Sequence, residues 1–363
     1  MNAGVLGLGA WFPETVRTND AWPVGFGAAA GEDRGNEERR ELTDVGAAGD
    51  DARADPCDRI TARHFAAEHG DPFLGSTRRR VAGDAVTSVE AEAHAGRAAL
   101  EDAGVEARDV GLVLSWAVVP DRVGPSGAPR VAYLLGADRA LAMGVDVACA
   151  STIAQIALAA AMVESGRVRY ALLTQSHLMT RAFPLSHPAS PNVGDAATAL
   201  VIGPSARRGI LAAHAVSEGQ HYDAVAWRRG RGNDTRWFEP GGASYLGSYA
   251  PEAARALILG TVRIAADTVS EACVMAGVPL DRIRVLASVQ PRRWIPNAIA
   301  EALGLDPAIA PTTFDDYAHL GGCGVVANLL EARRAGRITK GDIVALYAQG
   351  AGFTRAAALL DWS

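Results

Sequence analysis

The strongest constraint on this 363-residue chain is that its second half repeats the order of its first. The run Arg284 to Val289 (RVLASV) resembles the apolar run at 111–116, 173 positions earlier. The ending Ala335-Gly336-Arg337-Ile338 answers Ser165-Gly166-Arg167-Val168 at an offset of 170. Each is followed by a buried strand, DIVALYAQ answering RYALLTQ. Three elements in one order at nearly one offset argue for an internal duplication.

The elements themselves alternate. Residues 1–10 read as a first strand, and Ser88 to Ala103 as an amphipathic helix stopped at Gly104. Val110 to Val119, Arg169 to Gln175 and Ala196 to Ile202 are apolar runs of the kind expected for strands buried on both faces. Val145 to Ala148 reads as a short strand, and Ser151 to Ser165 as a helix apolar nearly all round, hence central. This order predicts an α/β protein with a mostly parallel sheet and helices on its faces. The halves are expected at 1–205 and 206–363. An excursion at about 25–60, poor in large apolar residues, interrupts the first; it reads as a mobile surface segment, with a short helix near Glu37 to Leu42 as the alternative, and periodic structure resumes at Ala62.

Composition excludes several function classes. The chain is 49% hydrophobic and 21% charged, as in ordinary globular proteins, and its net charge of −6 argues against global nucleic-acid binding. Lys340 is the only lysine, so no Walker-type lysine stands elsewhere. Cys57, Cys149, Cys273 and Cys323 are too dispersed for a disulfide framework or a zinc site, so no metal is expected. The start has no signal-peptide pattern, and the longest apolar stretch, Ile153 to Val163, is too short for a bilayer. A cytoplasmic protein without a membrane partner is expected.

Carried to the starts of the two matching helices, the offset of 170 sets His319 against Cys149. A thiol and an imidazole are therefore expected at symmetry-related helix starts, facing each other across a pseudo-twofold axis. Cys149 stands in VDVACASTIAQ, where a helix N-terminus favours thiolate and supplies backbone N–H groups for an oxyanion. Such a thiolate attacks thioesters. The ordinary alternative, a small core thiol, is outweighed by the strand–Cys–helix context and the opposing imidazole. His319 is the candidate base, with a satisfied helix-cap histidine as its alternative. The segment Ala348 to Phe353 (AQGAGF) follows a buried strand, so Gly350 and Phe353 are candidates to line the site. The Ala351 backbone N–H is a candidate second oxyanion donor, with a plain tight turn equally open. His177 is placed to line the same pocket, although a structural role is favoured. His187, His214 and His221 are in loop-like contexts, Cys323 reads as packing, and Cys57 and Cys273 as structural or exposed. The run Arg78-Arg79-Arg80 and the pair Arg292-Arg293 suit a phosphate or an acidic carrier protein, or simply a solvated face.

These motifs resemble the β-ketoacyl-acyl carrier protein synthase III branch of the thiolase superfamily over most of the chain. GLGAWFPETVRTND is similar to that family's first strand and turn, and DVACAS to its nucleophile segment. NVGDAATALVIG is similar to its GDGA-type strand, and YAQGAGFTRAAALL to its C-terminal GGGF strand. The resemblance implies a five-layered αβαβα thiolase fold built from two duplicated halves, and a homodimer. It also implies acylation of Cys149 from coenzyme A or carrier-protein thioesters as co-substrates, with Cys149 and Ala351 as oxyanion donors. No further cofactor is implied.

Two departures matter. The HQAN-like motif falls on Val289-Gln290-Pro291-Arg292, which puts Val289 where the histidine stands and makes Gln290, beside it, a candidate substrate-binding residue. The GNTSAA-like motif falls on Ala318-His319-Leu320, so His319 replaces its asparagine. The pair that promotes decarboxylation is therefore absent. The expected activity is acyl transfer to a hydroxyl or amine of a small-molecule acceptor, as in some relatives of specialised metabolism. Condensation supported by His319 alone, a catalytically silent dimeric scaffold, and a hydrolase are the alternatives. The stretch 219–248, rich in Trp, Tyr and Arg, suits an extended polar or aromatic acceptor.

Overall fold

A computed structural model describes residues 1–26, 55–68, 70–229 and 244–362. Its first half contributes β1 (Asn2–Trp11), β2 (Val16–Thr18), α1 (Pro56–Glu68), β3 (Arg78–Arg80), α2 (Ser88–Ala103), β4 (Val110–Ala117), α3 (Ala128–Leu135), β5 (Leu141–Gly144), α4 (Ser151–Glu164), β6 (Tyr170–Leu178) and β7 (Asp195–Ser205). The second contributes β8 (Ile210–Ser217), β9 (Ala226–Arg229), β10 (Ser244–Gly247), α5 (Pro251–Leu259), α6 (Thr261–Ala276), β11 (Ile283–Ser288), α7 (Ile295–Ala302), α8 (Phe314–Tyr317), α9 (Cys323–Arg334), β12 (Ile343–Gly350) and β13 (Thr354–Asp361).

Two large sheets carry the fold, in the orders β1-β7-β6-β4-β5 and β8-β13-β12-β11. Position for position, β1, β7, β6 and β4 match β8, β13, β12 and β11, and β5 extends only the first sheet. The pairing sense repeats as well. The first two pairings in each sheet are antiparallel and the third is parallel. The expected mostly parallel sheet is thus corrected: β7 and β13 run back against their neighbours, which makes both sheets mixed.

The layering follows from which faces are apolar. α4 is built from small and branched residues, with Ile153, Ile156, Ala159, Ala160 and Val163 buried, and it packs against strands of both sheets. α9, likewise buried along nearly its whole length, also packs against strands of both sheets. α2 covers the outer face of the first sheet, capped by Thr87 and Glu90 and ended by Gly104 in the left-handed conformation. α6 covers the second sheet and ends the same way at Gly277. The order of layers is αβαβα, with one apolar core running through the central helices into both sheets. No helix among the described residues is long and apolar enough to cross a membrane.

Three local expectations change. Helix α1 begins at Pro56, so periodic structure resumes before Ala62. The strand expected at Val145 to Ala148 is instead β5 at Leu141–Gly144, and 145–150 is an irregular turn because Asp146 binds backbone there. The helix near Glu37 to Leu42, and residues 230–243 of the proposed acceptor stretch, lie outside the described residues.

Inside the first half, Glu92 on α2 is buried without a cationic partner. Its carboxyl accepts hydroxyl bonds from Ser115 (2.6 Å), Thr174 (2.6 Å) and Ser176 (2.9 Å). Burial outweighs these bonds and pushes its pKa up to about 7. A folded-state pKa above the unfolded value means the folded chain holds the proton more tightly, so Glu92's contribution to stability declines as pH rises toward 7. In denaturant unfolding from pH 5 to 8, Glu92→Gln should remove a decline on the order of 1–3 kcal/mol that wild type shows below pH 7. Identical pH dependence in the two proteins would contradict this.

Candidate active site

Cys149 hangs on a tight turn ahead of α4. Asp146 Oδ1 accepts the N–H of Ala148 (2.9 Å) and the indole N–H of Trp116 (2.8 Å), while Ser151 Oγ accepts the N–H of Val147 (2.9 Å). These bonds hold Ala148 at φ 50°, a left-handed backbone unusual for alanine. The second half repeats the device. Ala318, immediately before His319, has φ 55°, and Leu74 is the only other described non-glycine residue of this kind. A positive φ thus precedes both Cys149 and His319.

The facing expected from the offset of 170 is nevertheless shifted. α4 starts at Ser151 and α9 at Cys323, 172 positions apart, so the helix-start partner of Cys149 is Gly321. His319 stands two residues before it. The helix starts meet where Thr152 Oγ1 donates to Gly322 O (3.1 Å). Gly321 has φ 54°, and a Cβ built on it would lie 2.5 Å from His177 Cδ2, 3.1 Å from His177 Nε2 and 3.5 Å from Cys149 Sγ. The thiol and the His177 ring therefore flank the same glycine.

One short strap orients both imidazoles. The His319 N–H donates to Asn192 O (3.0 Å), and His319 O accepts from the Gly194 N–H (3.1 Å). Gly194 O accepts from His177 Nδ1 (2.8 Å), and Gln290 O accepts from His319 Nδ1 (3.2 Å). A carbonyl only accepts, so both Nδ1 atoms carry protons and both Nε2 atoms keep their lone pairs. The rings meet nearly edge to face with centroids 5.5 Å apart.

Burial governs the electrostatics. It pushes the Cys149 thiol up to about 12, aided by Asp146, and the N–H groups of Cys149 and Gly322 only partly oppose it. Desolvation therefore works against the thiolate expected at the helix start. Burial, then the neighbouring His319, pushes His177 down to about 3; burial pushes His319 down to about 4. The resting set is a neutral thiol beside two neutral imidazoles.

The end of β12 closes on the same turn. A Cβ at Gly350 would lie 2.1 Å from Val147 O and 3.1 Å from Cys149 N, so only glycine allows this approach. Ala351 follows at once. Phe353 is buried against Ala224, Ala254 and Leu257, with the His221 ring edge-on to it. Val289, at the end of β11, is 2% exposed and donates its N–H to Tyr347 O (2.9 Å).

Three residues named as substrate-binding are otherwise engaged. The Gln290 side chain donates to Thr313 Oγ1 (2.8 Å) and accepts from Thr312, Thr313 and Asn328, so its carbonyl on His319 is its link to the site. Arg79 is wholly buried, donates to Pro191 O and Asn19 Oδ1, and lies over the Trp22 ring at 4.6 Å. It therefore cannot meet a phosphate at the surface. Arg292 is paired with Glu68 and stacked on Phe65. Arg78 and Arg293 pair with Asp316 and Asp315 on the surface. Elsewhere, His187 stacks on Phe183 and His214 pairs with Glu271. The Cys323 thiol is directed at the carbonyls of Gln175 and Ala196. The residue that sequence reasoning undervalued is His177: a lone histidine ending an apolar strand gives no sign of the partner that the other half supplies.

Two family models match the chain, 3-oxoacyl-[acyl-carrier-protein (ACP)] synthase III over residues 143–219 and its C-terminal region over 273–362. The chain is 30% identical over 311 residues to β-ketoacyl-[acyl-carrier-protein] synthase III of Rhodospirillum rubrum, covering 83% of this chain and 87% of that protein. It is also 30% identical to the synthase III of Rhodospirillum centenum, over 79% and 88%. The chain therefore belongs to the 3-oxoacyl-[acyl-carrier-protein] synthase III family, a group of thiolase-fold transferases. Among solved structures, synthase III from Pseudomonas aeruginosa superposes with TM-score 0.79 at 22% identity, covering 100% of this chain and 98% of that one. The priming β-ketosynthase of the R1128 polyketide pathway gives 0.78 at 22%, over 99% and 96%.

Because both imidazoles are held far below the usual histidine range, they should stay uncharged through the physiological range. The ring resonances of His177 and His319, assigned by substitution to Gln, should not shift between pH 5.5 and 8. Either ring titrating near 6.5 would contradict the site described.

Proposed function

We propose that the protein is an acyltransferase that moves an acyl group from a carrier-protein or coenzyme A thioester, through Cys149, to a hydroxyl or amine of a small molecule in specialised metabolism. The observation that carries this reading is the residue set around the thiol. In the condensing enzymes that the motifs resemble, a histidine and an asparagine stabilise the enolate left by decarboxylation. Here the first position is Val289, a buried side chain with no hydrogen-bond donor, and the second is His319.

The chemistry follows from what remains. Sγ attacks the thioester carbonyl, the donor thiol leaves, and an acyl-enzyme forms. The backbone N–H groups of Cys149 and Ala351 are assigned to the oxyanion. His319 Nε2 then takes the proton of the acceptor hydroxyl or amine as that group attacks the acyl carbon, and the Cys149 thiolate leaves and is reprotonated. Each step is a proton transfer or a displacement at carbonyl carbon.

Decarboxylative condensation is the second reading, favoured by the names of the Rhodospirillum relatives. Groups that stabilise a developing oxyanion are worth about 3–4 kcal/mol each, so their replacement by valine should slow condensation by roughly 100- to 1000-fold. A homodimer is also proposed. β5 is an edge strand with Leu141 57% and Met143 39% exposed, which suits pairing with a second copy.

Intact-protein mass spectrometry against a panel of acyl thioesters should give one adduct, lost in Cys149→Ala and kept in Cys323→Ala. On pre-acylated enzyme, His319→Ala should slow transfer to the acceptor by roughly 100-fold. An adduct surviving Cys149→Ala, equal transfer rates, or rapid carbon dioxide release from malonyl thioesters would each refute the reading. Light scattering should give a dimer, and Leu141→Asp should shift it to monomer.

A further inference from the structure

The reaction above asks for a proton acceptor twice, once from the thiol and once from the acceptor molecule, and the site holds two imidazoles. We infer that they divide the work: His177 Nε2 takes the proton of Cys149 Sγ during acylation, and His319 is reserved for the acceptor. Three observations carry this.

The first is placement. His177 Nε2 and Cys149 Sγ both line Gly321, 3.1 Å and 3.5 Å from the point where a side chain would begin there. The second is tautomer. The 2.8 Å bond from Nδ1 to Gly194 O leaves the Nε2 lone pair on the side of the thiol. The third is access. His177 is 2% exposed, at the end of β6 between the sheets, where no bulky acceptor reaches it. His319 is only partly buried and lies on the strap beside Asn192, nearer the surface. A base for a thiol that never leaves the protein belongs in the deeper position, and a base for an incoming molecule in the shallower one.

The proton balance closes. In acylation the S–H bond breaks, its proton moves to His177 Nε2, and the new S–C bond forms. The tetrahedral intermediate collapses with loss of the donor thiolate, which takes that proton away. His177 is then neutral again. In transfer, the acceptor proton goes to His319 Nε2 and is returned to the Cys149 thiolate when the C–S bond breaks.

This inference rests on Cys149 being the nucleophile, but it can be tested without any thioester. The probe is iodoacetamide at pH 7, with carbamidomethylation followed by peptide mass at Cys149, since Cys57 is also partly exposed. His177→Asn keeps an amide donor for Gly194 O and removes the base. It should slow alkylation of Cys149 by roughly 10-fold or more, whereas His319→Asn should slow it less than about 3-fold. Free imidazole should restore reactivity to His177→Ala. Wild-type reactivity in His177→Asn, or an equal loss in His319→Asn, would overturn the division of roles. If His177→Asn fails to fold, His177→Gln serves, because its longer amide removes the base while filling more of the ring's place. It should lose about as much reactivity, and an unchanged rate would again overturn the proposal. An unreactive thioester panel beside His177-dependent alkylation would instead fault the acyl-transfer reading alone.

Discussion

The site depends on the meeting of two helix starts in the middle of the molecule. α4 and α9 both lie between two sheets, and their starts touch through the bond from Thr152 Oγ1 to Gly322 O. Everything reactive is hung from that contact. The turn that carries Cys149 is braced by Asp146 and Ser151, the end of β12 closes on it at Gly350, and Gly321 admits the His177 ring beside the sulfur. Such proximity needs small residues. Gly321 and Gly350 stand where a Cβ would collide with ring or backbone atoms, and one at Gly322 would press on Cys149 O at 3.0 Å. Both helices are buried along their length because each must face a sheet on either side, which is also why the halves share one core.

Burial at this junction sets the chemistry. A thiol removed from water resists ionisation, and an imidazole removed from water resists protonation, so the same desolvation that raises Cys149 lowers His177 and His319. A neutral pair is less nucleophilic at rest than a preformed thiolate–imidazolium pair. It becomes reactive when attack and proton transfer occur together. The arrangement holds an un-ionised thiol and two uncharged imidazoles near one another.

Much of this architecture was legible in the chain. Continuous apolar runs marked the strands, an all-round apolar helix marked the centre, and the repeated Ser-Gly-Arg and Ala-Gly-Arg endings marked the duplication. The antiparallel return of β7 and β13 was not legible, because an apolar run carries no sign of its direction. Arg79 and Arg292 read as surface charges, yet one is buried over Trp22 and the other is paired with Glu68. Gln290 sat in a motif position that suggested a ligand, while its side chain is consumed by Thr312, Thr313 and Asn328. In each case the partner lies far away in sequence or on another element, and only packing brings it near.

The sequence by itself determined that this is a duplicated α/β chain with a cysteine ahead of its central helix, a valine where a histidine stands in similar enzymes, and an imidazole in place of an asparagine. The first two are matters of residue identity and local periodicity, the last two of the motifs' resemblance to a family, and none needs a third dimension. Tertiary structure decided which imidazole flanks the thiol, which nitrogen of each ring carries the proton, and whether the sulfur is ionised. The reason is that these depend on Gly194 O, Gln290 O and Gly321, backbone positions brought in by other strands and loops, and on the exclusion of water between two sheets. A chain can specify its reactive groups by type, but their protonation and mutual distance belong to the folded interior.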